Sequence, residues 1–191
     1  MLSPAISFSS RKSQQGISLV IVMIFLVILS VLGVTAIQTS TLSSRIARNE
    51  ADRNLAFQAA EAALRDGELD ARNLKVDLTL CVKGVGGCRA QLNDKQTYFT
   101  TACTDGRCAP AVGAAPVWET SSRWKLTGES VPYGTYTGAA QLKLVSQQPR
   151  YLLEAFQVDD KSLYRITSVG FGASSSSQVM MQNVVVVTRQ K

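Results

Sequence analysis

The sequence contains no histidine, and that one absence removes the commonest general base and the commonest metal ligand. A Ser-His-Asp triad, a Cys-His dyad and a His-ligated zinc site are all excluded. Charge is scarce as well: Asp, Glu, Lys and Arg make up 18% of the 191 residues, against roughly 25% in ordinary globular chains. Between Ser13 and Ser44 charge is missing altogether. No phosphate-cradling glycine loop is present, because Gly84, Gly86 and Gly87 are not followed by Lys-Ser or Lys-Thr. Asp159-Asp160 lacks a surrounding Asp-x-Asp-x-Asp-Gly series and reads as a turn rather than a calcium loop. The remaining carboxylates of the second half (Asp77, Asp94, Asp105, Glu119, Glu129 and Glu154) are scattered. Nothing marks a catalytic pair, so the chain reads as a non-enzyme with no cofactor, no metal and no small-molecule substrate.

What is abundant is aliphatic sequence near the N-terminus. Ile17 to Ile37 reads ISLVIVMIFLVILSVLGVTAI, which as a helix is about 32 Å long, the thickness of a hydrocarbon core. A buried helix of a soluble protein is usually shorter and polar on one side. Residues 1–16 form a basic, polar leader ending Arg11-Lys12-Ser13-Gln14-Gln15-Gly16. Two cleavages compete. Signal peptidase acting after Val34-Thr35-Ala36 would release a soluble binding domain beginning at Ile37. Cleavage at Gly16 would instead leave the apolar run on the mature chain, and a chain never cleaved would simply stay anchored. Basic residues flank the run on both sides, Arg11 and Lys12 before it and Arg45, Arg48 and Arg53 after it. Three against two, that count alone points the wrong way; it is outweighed by the closeness of the two leader charges to the run and by the cysteines of the second half, which favour its export.

From Thr39 to Asn73 there is no proline and a single glycine, Gly67, among many Ala, Leu, Arg and Glu residues, so the helix is expected to continue. Leu42, Ile46, Phe57, Ala60 and Leu64 fall on one face, while Glu61 and Arg65 pair four apart on another. Residues 38–73 therefore read as the amphipathic part of one long helix. A coiled coil would have to admit Asn49 and Arg53 to its seam.

The leader ending at Gly16, the apolar run that follows without a spacer, and Asn54-Leu55-Ala56-Phe57-Gln58-Ala59-Ala60-Glu61-Ala62-Ala63-Leu64-Arg65-Asp66-Gly67-Glu68 together resemble the N-terminal region of PilX-type minor pilins of the type IV pilus. The resemblance covers about residues 10–70. It implies cleavage between Gly16 and Ile17 by prepilin peptidase and N-methylation of Ile17. It also implies an inner-membrane anchor with a periplasmic head, later part of an extracellular pilus. The implied partners are other minor pilins, the major pilin and a tip adhesin. The chain departs from the major-pilin pattern at the fifth mature position, where Ile21 replaces the usual glutamate. A buried membrane carboxylate is tolerable only when paired, and a subunit with no predecessor in the filament needs none. Ile21 therefore points to a role at or near the tip, helping to start assembly. Tip pseudopilins of type II secretion share the same gap and are the alternative.

Residues 74–191 hold all four cysteines. The spacings Cys81-x6-Cys88 and Cys103-x4-Cys108 do not match two-residue zinc knuckles, and disulfides suit an exported chain. Three pairings are open. The local pairs are favoured because each loop encloses turn-forming glycine, and such short loops are expected to shape the surface more than to stabilise it. Residues 109–138 read as loops, with Trp124-Lys125-Leu126 as a short strand. Tyr151 to Val158, Leu163 to Phe171 and Val179 to Thr188 read as an antiparallel meander with turns at Asp159-Asp160-Lys161 and Ala173 to Ser177. Val184 to Val187, apolar on both faces, is expected inside the sheet. The whole is an α+β, type IV pilin-like fold, in which the sheet face carrying Leu153, Ile166 and Val186 meets Phe57, Ala60 and Leu64. The basic excess of the head is not interleaved with aromatics, which argues against nucleic acid.

Overall fold

The computed structural model describes residues 16–82, 87–89, 98–125, 128–158 and 161–186. The leader before Gly16 lies outside them, as do the Lys83–Gly86 loop, Asp94, Leu126, Asp159, Asp160, Val187 and Thr188. The chain divides into two compact units, residues 1–47 and 48–191, and one helix, α1 (Ile17–Ala71), contributes to both.

In the first unit, α1 exposes its aliphatic side chains all round. Its few hydroxyls turn back on the backbone, Ser30 Oγ donating to the Leu26 carbonyl at 2.7 Å and Thr35 Oγ1 to that of Leu32 at 2.9 Å. Both hydroxyls are thereby satisfied within the helix, as a lipid surface requires.

In the second unit, α1 packs through small residues. Ala56, Ala59, Ala60, Ala63 and Ala71 are buried, with Gly67 on the same stripe. The helix ends in a Schellman motif: Asn73, at φ 60°, donates its N–H to the Asp70 carbonyl, and Leu74 donates to that of Leu69. The chain then turns through Asp77, whose carboxylate accepts from the Thr79 N–H and hydroxyl. It returns to the helix end, where Asn73 and Cys81 bond reciprocally.

The sheet has the order β1-β3-β4-β5, with β2 pairing β3 as well. The strands are β1 (Arg107–Cys108), β2 (Val131–Pro132), β3 (Arg150–Val158), β4 (Lys161–Phe171) and β5 (Gln178–Val186). The last three form the expected antiparallel meander. The sheet is nevertheless mixed, because β1 runs parallel to β3. Two residues are too few for any periodicity to announce.

Tyr151, Leu153, Ala155, Tyr164, Ile166 and Val185 form the core on the helix side, joined by Leu64 and Phe99. The opposite face places Leu152, Val169 and Phe171 against Val117, Trp124 and the Cys103 and Cys108 sulfurs. This double cover explains why β4 is buried continuously from Ile166 to Phe171 rather than alternating. At Gly170 the helix and strand approach so closely that a Cβ would overlap the Ala60 nitrogen and the Ala56 carbonyl, and Ser168 Oγ donates to the Ala60 carbonyl at 2.8 Å.

Several expectations are corrected. Trp124 ends a short 3-10 turn (Ser121–Trp124) rather than starting a strand, its ring buried and its indole N–H bonded to the Trp118 carbonyl. Phe57 is 47% exposed, since the contact stripe runs through alanines that let the backbones come close. Val185, opposite Tyr164, is the helix-facing residue of its run, whereas Val186 points to the other side. Val184 and Val186 belong to the last strand of the sheet and stay largely exposed; an apolar run on an edge strand has the same composition as one inside.

Candidate functional site

Gly16 stands one residue before α1, and its carbonyl accepts from the Leu19 N–H at 3.2 Å. No atom beyond its chain neighbours approaches the position of a Cβ there. Ile17 and Ile21, one helical turn apart, are both exposed. Ile17–Ala71 contains a window apolar enough to cross a membrane, with none of that window buried.

In the head, the four cysteines meet in two pairs, Cys81–Cys88 and Cys103–Cys108. They do not merely shape surface loops. Cys103 and Cys108 are fully buried among Val117, Leu152 and Phe171, and Cys108 lies in β1. Cys81 and Cys88 are buried too, and the second of them fixes the backbone beside Arg89.

Arg89 is the centre of a cluster that sequence reasoning did not single out. Its guanidinium makes a two-pronged contact with the Asp70 carboxylate, Nε donating to Oδ1 at 2.9 Å. Tyr151 OH donates to the same carboxylate at 3.0 Å, and the guanidinium lies 4.1 Å over the Tyr136 ring. Burial acts to lower the Arg89 pKa, but Asp70, aided by Tyr151 and Tyr136, opposes it and the net direction is upward. Burial, then Asp70, pushes the Tyr151 phenol well above its ordinary range. Burial and then the Arg89 charge bring nearby Arg107 down to about 10, with Asp70 opposing them.

One turn earlier, Asp66 is buried and accepts from the Thr137 hydroxyl and, at 2.8 Å, from the Gly134 N–H. Burial raises its pKa, with those two bonds opposing. The available signal for both acids was their spacing: positions 56, 60, 63, 67 and 70 lie on one stripe, which places Asp70, with Asp66 beside it, on the buried face.

These ionic groups are committed to each other and to the fold. Glu154 is likewise held by Arg165 at 2.6 Å and Glu129 by Arg123 at 3.2 Å. Among the described residues no group of three metal-ligating side chains converges. What the head offers outward is surface. A groove of about 840 Å³ runs along α1, lined by Phe57, Leu64, Leu69, Val76, Leu78 and Met181 among others.

Comparison with known families matches residues 15–65 to "PilX N-terminal" and residues 86–187 to "Type IV pilus assembly protein PilX C-term". No curated protein and no solved structure matches the chain.

Proposed function

As the chain belongs to the PilX family of type IV pilus assembly proteins, we propose that it is a non-catalytic minor pilin that helps to start the filament and sits at or near its tip. Prepilin peptidase cleaves between Gly16 and Ile17, the new amine on Ile17 is methylated, and residues 17–37 hold the chain in the inner membrane with the head, residues 74–191, in the periplasm. Other minor pilins, the major pilin and a tip adhesin are its partners. The observation that carries this reading is the uncharged, wholly exposed helical run that begins at Ile17, directly after Gly16, and has Ile21 at its fifth position. Such a surface is stable only in lipid or against other apolar helices. A subunit that is followed but not preceded needs no carboxylate at position 21 to meet a predecessor's amine.

Intact mass and N-terminal sequencing of the chain from host membranes, with and without active prepilin peptidase, test the processing. N-methylated Ile17, dependent on the peptidase, is the expected start; a start near Ile37 defeats the proposal. Ile21→Glu tests the position. The variant should reduce pilus number or move the protein along the filament, and an unchanged count and location would remove the argument for the tip.

A further inference from the structure

Residues 109–117 read Ala-Pro-Ala-Val-Gly-Ala-Ala-Pro-Val, a stretch without a single polar side chain. Loops run over the surface and are ordinarily polar, yet Val112 near the middle of this one is 93% exposed, and Ala111, Ala114 and Ala115 are exposed beside it. The ends are fixed. Cys108 is buried in its disulfide, the Ala109 N–H donates to the Thr100 carbonyl at 2.9 Å, and Val117 is buried in the cluster that holds Leu152 and Trp124. Between them the loop turns at Gly113, at φ 71°, where a Cβ would meet nothing.

An apolar receptor for such a loop stands on the other side of the same sheet. The loop ends pack on the face carrying Leu152, Val169 and Phe171. The groove along α1 lies on the helix face, where Met181 pairs with Ser168, the residue bonded to the Ala60 carbonyl. With the sheet between them, the loop cannot reach the groove of its own head. The charges of the two surfaces are complementary. Within the groove Arg65 sits 3.8 Å from Glu61, Glu68 accepts from Asn183, and Asp66 accepts from Thr137 and Gly134. Arg72 is exposed at the groove and has no side-chain partner among the described residues. The first charge after the loop is Glu119, exposed and likewise without a side-chain partner among them.

We propose that the 109–117 loop of one copy of this chain docks in the α1 groove of a second copy, with Val112 on the floor formed by Leu64, Leu69, Leu78 and Met181 and Glu119 against Arg72 at the rim. Burying Val112 and the alanines beside it removes apolar surface from water on both partners. The Glu119–Arg72 pair at the edge fixes which way the loop lies. An uncharged loop also brings nothing into the groove that would be desolvated without a counter-ion. Because loop and groove lie on opposite faces of the sheet, the contact is head-to-tail, and each added copy leaves one loop and one groove for the next. The contact uses residues of the head alone, so it holds wherever the N-terminus is cut.

A photo-crosslinking residue at Ala114 of the purified full chain in detergent tests the proposal, with the same residue at Leu144, an exposed position outside the loop, as background. The expected adducts contain two or more copies, and peptide mass spectrometry should join Ala114 to residues 57–78 or to the peptide holding Met181. Val112→Asp sets a charge on the apolar floor and should cut the yield about tenfold. The position is exposed in the single head, so protease resistance should stay as in the parent. Glu119→Arg and Arg72→Glu should each cut the yield about fivefold. Both changes in one chain should restore it, which a merely misfolded head could not do. A yield no higher than from Leu144, adducts outside the groove, indifference to Val112→Asp, or a double reversal no better than the single ones would overturn the assignment. Capture of a different subunit in place of a second copy, with the same residue in host membranes, would overturn it as well.

Discussion

Arg89 reaches across the end of α1 to neutralise Asp70, and it does so from the residue next to a disulfide cysteine. Removing the arginine would leave a carboxylate buried with only a tyrosine hydroxyl beside it. Arg89→Ala should therefore cost about 3–5 kcal/mol of head stability. In a double-mutant cycle with Asp70→Asn the two losses should fall well short of adding. Urea unfolding of the full chain in detergent measures both, and strictly additive losses would show that the pair is not coupled.

Asp66 makes stability pH-dependent in a definite direction. Its pKa is raised on folding from the ordinary 3.8, burial being the main cause. The native state thus holds its proton more tightly than the unfolded chain. The resulting contribution is complete below the unfolded value and is lost as pH rises through the folded one. The melting temperature of Asp66→Asn relative to the parent should climb between about pH 4 and pH 7. A difference that stays flat or falls over that range contradicts the assignment.

Gly170 faces the backbone of α1 with no room for a methyl group. Gly170→Ala should push helix and sheet apart at a cost of about 1–3 kcal/mol. Phe57→Asp, by contrast, alters a half-exposed groove residue, and should cost less than about 1 kcal/mol. Equal losses would mean that the helix docks through its aromatic face after all.

The two disulfides should differ in what they hold. Replacing Cys103 and Cys108 by serine puts two hydroxyls into a fully buried cluster with Leu152 and Phe171. To the roughly 2 kcal/mol of loop constraint it adds about 1–3 kcal/mol for each hydroxyl left without a partner. The Cys81/Cys88 double serine variant should lose less in stability, but should increase hydrogen exchange at the end of α1, where Arg89 and Asn73 are tied down. Comparing melting temperatures and exchange at Leu69 to Leu74 separates these effects.

Much of this protein is local in origin and legible along the chain. The apolar run, the lack of proline from Thr39 to Asn73 and the β-branched runs after Tyr151 dictated one long helix and a three-stranded meander, because each depends on periods of 3.6 or 2 among near neighbours. The missing histidine removed whole classes of chemistry without any structure. Three features were decided only by tertiary packing. The parallel strand β1 exists because β3 offers it an edge. The burial of Asp66 and Asp70 depends on Thr137, Gly134, Arg89 and Tyr151, which arrive from distant parts of the chain. Val184 and Val186 ended on an exposed edge because nothing described here follows β5 in the sheet order. Composition tells a strand that it will pair, but only the arrangement of the other strands tells it on how many sides.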